Sequence, residues 1–212
     1  MAAAGHEFFA PSYTGLGERA HLASPKNDLE THVQDVLGVL KFEDLRNVVL
    51  IGHSYGGMVA TSVADRARER VAQIIYLDAF VPENGQALID FLPQRERQRL
   101  LDSVETGDGW RVTPNPIPPD TTAADLAWIA RLRMPQSVRC FEQPIHLHAK
   151  LTLPRTYIHC IRHADRSPFG QFATRAKSEG WGLYELDASH SPNITAPDTL
   201  MELLQRILAD RT

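Results

Sequence analysis

Gly52-His53-Ser54-Tyr55-Gly56 sets a serine between two glycines, a spacing that suits a nucleophile on a sharp turn. The run before it, Asn47-Val48-Val49-Leu50-Ile51, is continuous, apolar and largely β-branched, as in a strand buried on both faces. A helical stretch follows from about Met58 to Arg68. Between strand and helix the turn must be tight, and a side chain at either flank would collide with neighbouring backbone, which accounts for Gly52 and Gly56. Ser54 is then held in a strained conformation with its hydroxyl above the sheet, where the following helix N-terminus aims backbone N–H groups. The plainer reading is a structural turn with an incidental serine.

A serine hydroxyl attacks only when a base removes its proton. Of nine histidines, His190 follows the predicted strand Gly182–Leu186 directly and precedes the last helix, the place expected for that base. A carboxylate should orient the imidazole and stabilise its charged form. The order serine, acid, histidine places it between residues 54 and 190. Asp165 follows the predicted strand Arg155–Ile161 and is taken first. Asp78 follows the predicted strand Gln73–Leu77 and is the alternative. Both sit at carboxyl ends of strands, where sites form in such sheets. Asp187 is too close to His190 along the chain to be preferred. His53 should point away from a site that Ser54 faces. His146 and His148 lack a third ligand at metal spacing. His159 and His163 flank a strand end and read as packing or solvent residues.

The elements that must position these residues alternate. Leu29, His32, Val33, Val36, Leu37 and Leu40 recur at helical spacing after Asp28. Strand, turn, helix and strand over residues 47–77 make a βαβ unit. The rhythm returns with the strand Arg155–Ile161, a helix Phe169–Ser178, the strand Gly182–Leu186 and a closing helix Asp198–Ala209, arguing an α/β class with a parallel sheet covered on both faces. Glu7–Ala10 is a further strand candidate. From Pro82 to about His148 the texture changes: Pro114, Pro116, Pro118 and Pro119 cluster, and two amphipathic helices are expected near 93–103 and 122–131. That stretch reads as an insertion over the sheet, with Trp110 and Trp128 forming either an apolar lid or a small core of its own.

A length of 212 residues fits one domain with a real core. A net charge of −4 disfavours nucleic acid and anionic membrane as partners. No apolar run approaches a bilayer span, and the first residues lack the pattern of a signal peptide, so a cytoplasmic location is expected. Cys140 and Cys160 form no metal or redox spacing and are expected to be reduced and buried.

Three segments carry a family resemblance: Ser12–Leu22, Gly52–Gly57 and Tyr76–Pro82 resemble bacterial α/β-hydrolases of the esterase group, which is related to plant hydroxynitrile lyases and methylesterases. The resemblance implies a single α/β-hydrolase domain over 1–212 with a cap insertion at about 83–148 and no cofactor. It also implies Ser54 and His190 as nucleophile and base. The family's acid does not map unambiguously, so Asp165 and Asp78 both stay open. Against the family pattern, a first strand-helix unit is expected to be missing, as in an N-terminally truncated chain, and with it one of two oxyanion donors. The Tyr55 backbone N–H is the donor that remains, and the sheet is expected to have a gap or an unpaired edge. The expected chemistry is hydrolysis of a small carboxylic ester through an acyl-enzyme. Two alternatives stand beside it. A hydroxynitrile lyase would want a lysine near the site, with Lys150 and Lys177 the nearest by sequence. A degenerate binding module would keep the pocket without turnover. Glu18, Arg19 and His21 are expected near the pocket mouth as a local ion pair, and Tyr55 either lines the acyl pocket or packs.

Overall fold

The computed structural model describes residues 1–162 and 167–210. In chain order the elements are α1 (Leu29–Phe42), β1 (Val48–His53), α2 (Gly56–Arg66), β2 (Val71–Leu77), α3 (Gln94–Glu105), β3 (Arg111–Val112), α4 (Ala123–Leu132), β4 (Gln136–Ser137), α5 (Arg139–Glu142), β5 (Arg155–Cys160), α6 (Gly170–Ser178), β6 (Gly182–Leu186), α7 (Pro192–Thr195) and α8 (Pro197–Ala209). Four strands form one sheet in the order β1-β2-β5-β6, and every neighbouring pair is parallel. β3 and β4 form a separate antiparallel pair.

Alternation along the strands sends successive side chains to opposite faces. Ile74, Tyr76 and Tyr157 join Leu29, Val33 and Leu40 of α1, Met58, Val59 and Val63 of α2, and Phe172 and Ala176 of α6 in one core. Ile75, Leu77, Ile158 and Leu186 face the other way and pack on Leu200, Leu203, Leu204 and Ile207 of α8. The sheet is therefore covered on both faces, and burial of these aliphatic side chains stabilises it by about 1.5–3 kcal/mol each. Asp28 starts α1 with a capping box, its carboxylate accepting from Thr31 N–H while Thr31 Oγ1 accepts from Asp28 N–H.

The expected strand Glu7–Ala10 does not form: residues 6–10 have no regular structure, and Phe8 and Phe9 are exposed. A strand needs a ladder partner, and β1 pairs with β2 alone, so among the described residues its other edge is open. Between β2 and β5 the helices α3 and α4 match the expected amphipathic segments within two residues. Ala87, Ile89, Leu100 and Val112 form a small core there. Neither tryptophan behaves as expected: Trp128 is half exposed, Trp110 stacks under Arg111, and neither joins that core or lines the cleft beside Ser54.

Candidate active site

Ser54 stands between the end of β1 and the N-cap of α2 with φ 53°, a left-handed conformation that an L side chain occupies only under strain. The turn is tight where Gly52 and Gly57 lie. A Cβ on Gly52 would meet the Gly56 carbonyl oxygen at 2.7 Å, and one on Gly57 would meet the Phe80 carbonyl oxygen at 2.1 Å. Gly56, expected to be excluded from bearing a side chain, has room: its Cβ would approach nothing nearer than the Tyr13 hydroxyl at 3.6 Å. The steric demand falls one residue later because Gly57 faces the turn after β2, where Phe80 N–H donates to the Ser54 carbonyl.

That second turn carries Asp78. It too is left-handed, with φ 41°, and it is 1% exposed. Its backbone N–H donates to the Ile158 carbonyl of the neighbouring strand. Its carboxylate meets three donors. Oδ2 lies 2.7 Å from His190 Nδ1, and Oδ1 lies 3.2 Å from both His159 Nδ1 and Cys160 N. Burial works to raise the Asp78 pKa, but the bonds from His159, His190 and Cys160 outweigh it and hold the carboxyl below its ordinary range. Asp78 is therefore ionised at neutral pH. An ionised carboxylate only accepts, so each imidazole carries its proton on Nδ1.

His190 completes the line, with Nε2 3.0 Å from Ser54 Oγ. Its loop is tied on several sides. His53 Nε2–H donates to the His190 carbonyl at 2.6 Å, and the Phe169 ring stacks on the imidazole at 4.7 Å. Arg162 joins Asp187 to Asp120. His53 is pushed down to about 4 by burial, with the neighbouring His190 adding to it. Tyr55 lines the cleft, and its hydroxyl bonds His32 Nδ1 at 2.9 Å. The Tyr55 backbone N–H, at the N-cap of α2, donates to no described acceptor. Ser54, Tyr55, Asp78 and His190 line a cleft of about 1160 Å³ together with Leu88, Leu100, Val112, Ile117 and Met134.

Of the two candidate acids, Asp78 meets His190, while Asp165 lies outside the described residues, as does His163. Asp187 pairs with Arg162 instead. Arg19 ion-pairs with Asp35 rather than with Glu18, which accepts from Ser12. His148 serves the buried carboxylate of Asp65, which burial would raise but which His148, Arg68 and Ala149 hold down to about 2. Cys140 and Cys160 are free and buried, as expected. His159 was expected to pack or face solvent, and its bond to Asp78 was missed. Its position near a strand end was visible in the sequence, but the adjacency of that strand to the one ending at Leu77 was not. Among the described residues no group of three or more His, Cys, Asp or Glu side chains is placed to hold a metal. No helix of these residues is long and apolar enough to cross a membrane.

Known proteins resemble this chain over most of its length. The chain is 35% identical over 214 residues to a carbendazim hydrolyzing esterase from Nocardioides sp. (strain SG-4G), covering 95% of this chain and 88% of that protein. It is 26% identical to a pyrethroid hydrolase from Sphingobium wenxiniae, covering 96% and 78%. Among solved structures, an extracellular alpha/beta-hydrolase from a Paenibacillus species superposes with a TM-score of 0.82 at 22% identity, covering 97% of this chain and 88% of that one. A methylesterase from Arabidopsis does so at 0.73 and 22%, covering 98% and 89%. At that identity the two structures speak to the fold alone. The model of the alpha/beta hydrolase family matches residues 1–203, and with the 35% relative it establishes that this chain belongs to that family, in its esterase group.

Proposed function

We propose that the chain hydrolyses a small carboxylic ester through an acyl-enzyme, with Ser54 as nucleophile, His190 as general base and then acid, and Asp78 as the orienting carboxylate. The observation that carries this is the unbroken line from Asp78 Oδ2 to His190 Nδ1 at 2.7 Å and from His190 Nε2 to Ser54 Oγ at 3.0 Å, in the lining of the cleft. Ser54 Oγ attacks the ester carbonyl carbon as His190 Nε2 takes its proton. The Tyr55 backbone N–H donates to the developing oxyanion. The imidazolium, stabilised by Asp78, returns the proton to the leaving alkoxide, which departs as an alcohol. Water then repeats the sequence on the acyl-enzyme, with His190 as base, and frees the acid and Ser54. Residues 83–148 act as the cap that selects the substrate, since insertions vary on a fixed scaffold. No lysine is among the described residues that line the cleft, so the lyase reading lacks its expected lysine there. Two free cysteines suit a reducing, cytoplasmic setting.

The test is labelling by a fluorophosphonate, with Ser54→Ala as control and circular dichroism alongside. The expected result is labelling of the folded chain that vanishes in the variant, followed by turnover of 4-nitrophenyl acetate or butyrate. Carbendazim and a pyrethroid, which the two relatives act on by name, are the next compounds to assay. A folded chain that neither labels nor turns over esters would be a binding module instead.

A further inference from the structure

The end of β5 holds the turn after β2 at several points. Ile158 accepts from the Asp78 backbone N–H, and Cys160 N–H donates to Asp78 Oδ1. Two side chains on one face of β5 add to this. Tyr157 Oη donates to the Ala79 carbonyl at 3.0 Å, and His159 Nδ1 reaches Asp78 Oδ1 at 3.2 Å. The His159 side chain is 11% exposed and is absent from the cleft lining, so substrate does not meet it.

Asp78 lies in a left-handed turn and has one carboxylate oxygen for each of two histidines. A carboxylate rotates readily about its last bond unless both oxygens are held. Without the donor on Oδ1, the Cys160 N–H alone would resist that rotation, and Oδ2 would leave the line to His190. We propose that His159 is a positioning residue for the hydrolysis: its Nδ1–H pins Asp78 Oδ1 so that Oδ2 stays on His190 Nδ1 and Nε2 stays free to take the Ser54 proton. This rests on the Ser54–His190–Asp78 reading above. No bond to substrate is made or broken at His159.

Two substitutions separate positioning from packing. His159→Leu removes the donor at similar bulk, and His159→Asn puts an amide N–H near the place of Nδ1. In folded protein, His159→Leu should lower kcat on a 4-nitrophenyl ester about 10–100-fold with KM changed less than about twofold, as for loss of one charge-assisted hydrogen bond. His159→Asn should recover most of that loss. Wild-type kcat in His159→Leu, or equal losses in both variants at equal folded fraction, would overturn the proposal. If His159→Leu does not fold, nitrogen NMR of histidine-labelled wild type decides instead. A protonated Nδ1 on His159 that is perturbed by Asp78→Asn supports the role, and a protonated Nε2 with bare Nδ1 refutes it. Ser54→Ala is run in parallel: if it still hydrolyses the ester, the parent reading has failed rather than this one.

Discussion

Asp78→Asn is the sharpest perturbation of the site, because the surroundings dictate how the amide must turn. Two N–H donors, from His159 Nδ1 and Cys160, converge on Oδ1. The asparagine must place its carbonyl oxygen there, since its amino group would meet two donors head-on. The amino group then occupies the Oδ2 position, 2.7 Å from His190 Nδ1 in the native protein. His190 must accept at Nδ1 and carry its proton on Nε2, which faces Ser54 Oγ at 3.0 Å. The base arrives already protonated. In the serine-protease triad this tautomer error costs about 10⁴-fold in kcat, or about 5 kcal/mol of barrier, and the same loss is expected here. The assay is kcat on a 4-nitrophenyl ester with circular dichroism to confirm folding and Asp165→Asn as a companion, expected within a few-fold of wild type. An Asp78→Asn protein within tenfold of wild type would refute the tautomer argument. An inactive Asp165→Asn beside it would move the acid to that residue.

Glycine 57 should tolerate nothing larger: Gly57→Ala drives a Cβ to 2.1 Å from the Phe80 carbonyl oxygen and should cost about 3 kcal/mol or more in urea denaturation, whereas Gly56→Ala should stay within about 1 kcal/mol of wild type. Asp65 is ionised in the fold down to about 2 against an ordinary 3.8, so it stabilises the protein above pH 4 and that stability is lost as pH falls toward 2. Asp65→Asn should therefore lower stability at pH 7 by about 2 kcal/mol, with the deficit fading near pH 2 in acid titrations followed by circular dichroism. His53 is depressed to about 4 from 6.5. Protons then bind the unfolded chain first, and stability should fall as pH drops from about 6.5 to 4. His53→Gln should flatten that slope in urea midpoints measured at pH 7 and pH 5.

Elements whose identity is local could be read without coordinates. The β-branched run that becomes β1 and the apolar spacing of α1 needed no partner to be recognised, and the turn and strand-end positions of Ser54 and His190 marked them as candidates. What depended on which strands lie side by side could not be read. Asp78 and Asp165 are equivalent along the chain, because each follows a strand. Asp78 is distinguished by the adjacency of β2 and β5, which gathers Asp78, His159 and Cys160 at one sheet end. The Glu7–Ala10 misreading has the same origin, since strand propensity without a ladder partner yields extended chain. Gly57 outranks Gly56 for a similar reason: its constraint comes from Phe80, twenty-three residues away in sequence.

The left-handed backbone at Ser54 has a bearing on attempts to breed a hardier version of this protein. The Ser54 side chain makes its hydrogen bond to His190, so glycine at 54 would forfeit little packing while relieving a φ of 53° that disfavours any Cβ, a gain of about 1 kcal/mol. A library ranked by heat tolerance alone would drift toward that change, which the proposed mechanism makes inactive. Turnover must be scored beside survival, because the proposed nucleophile is also a residue that its backbone would be more comfortable without.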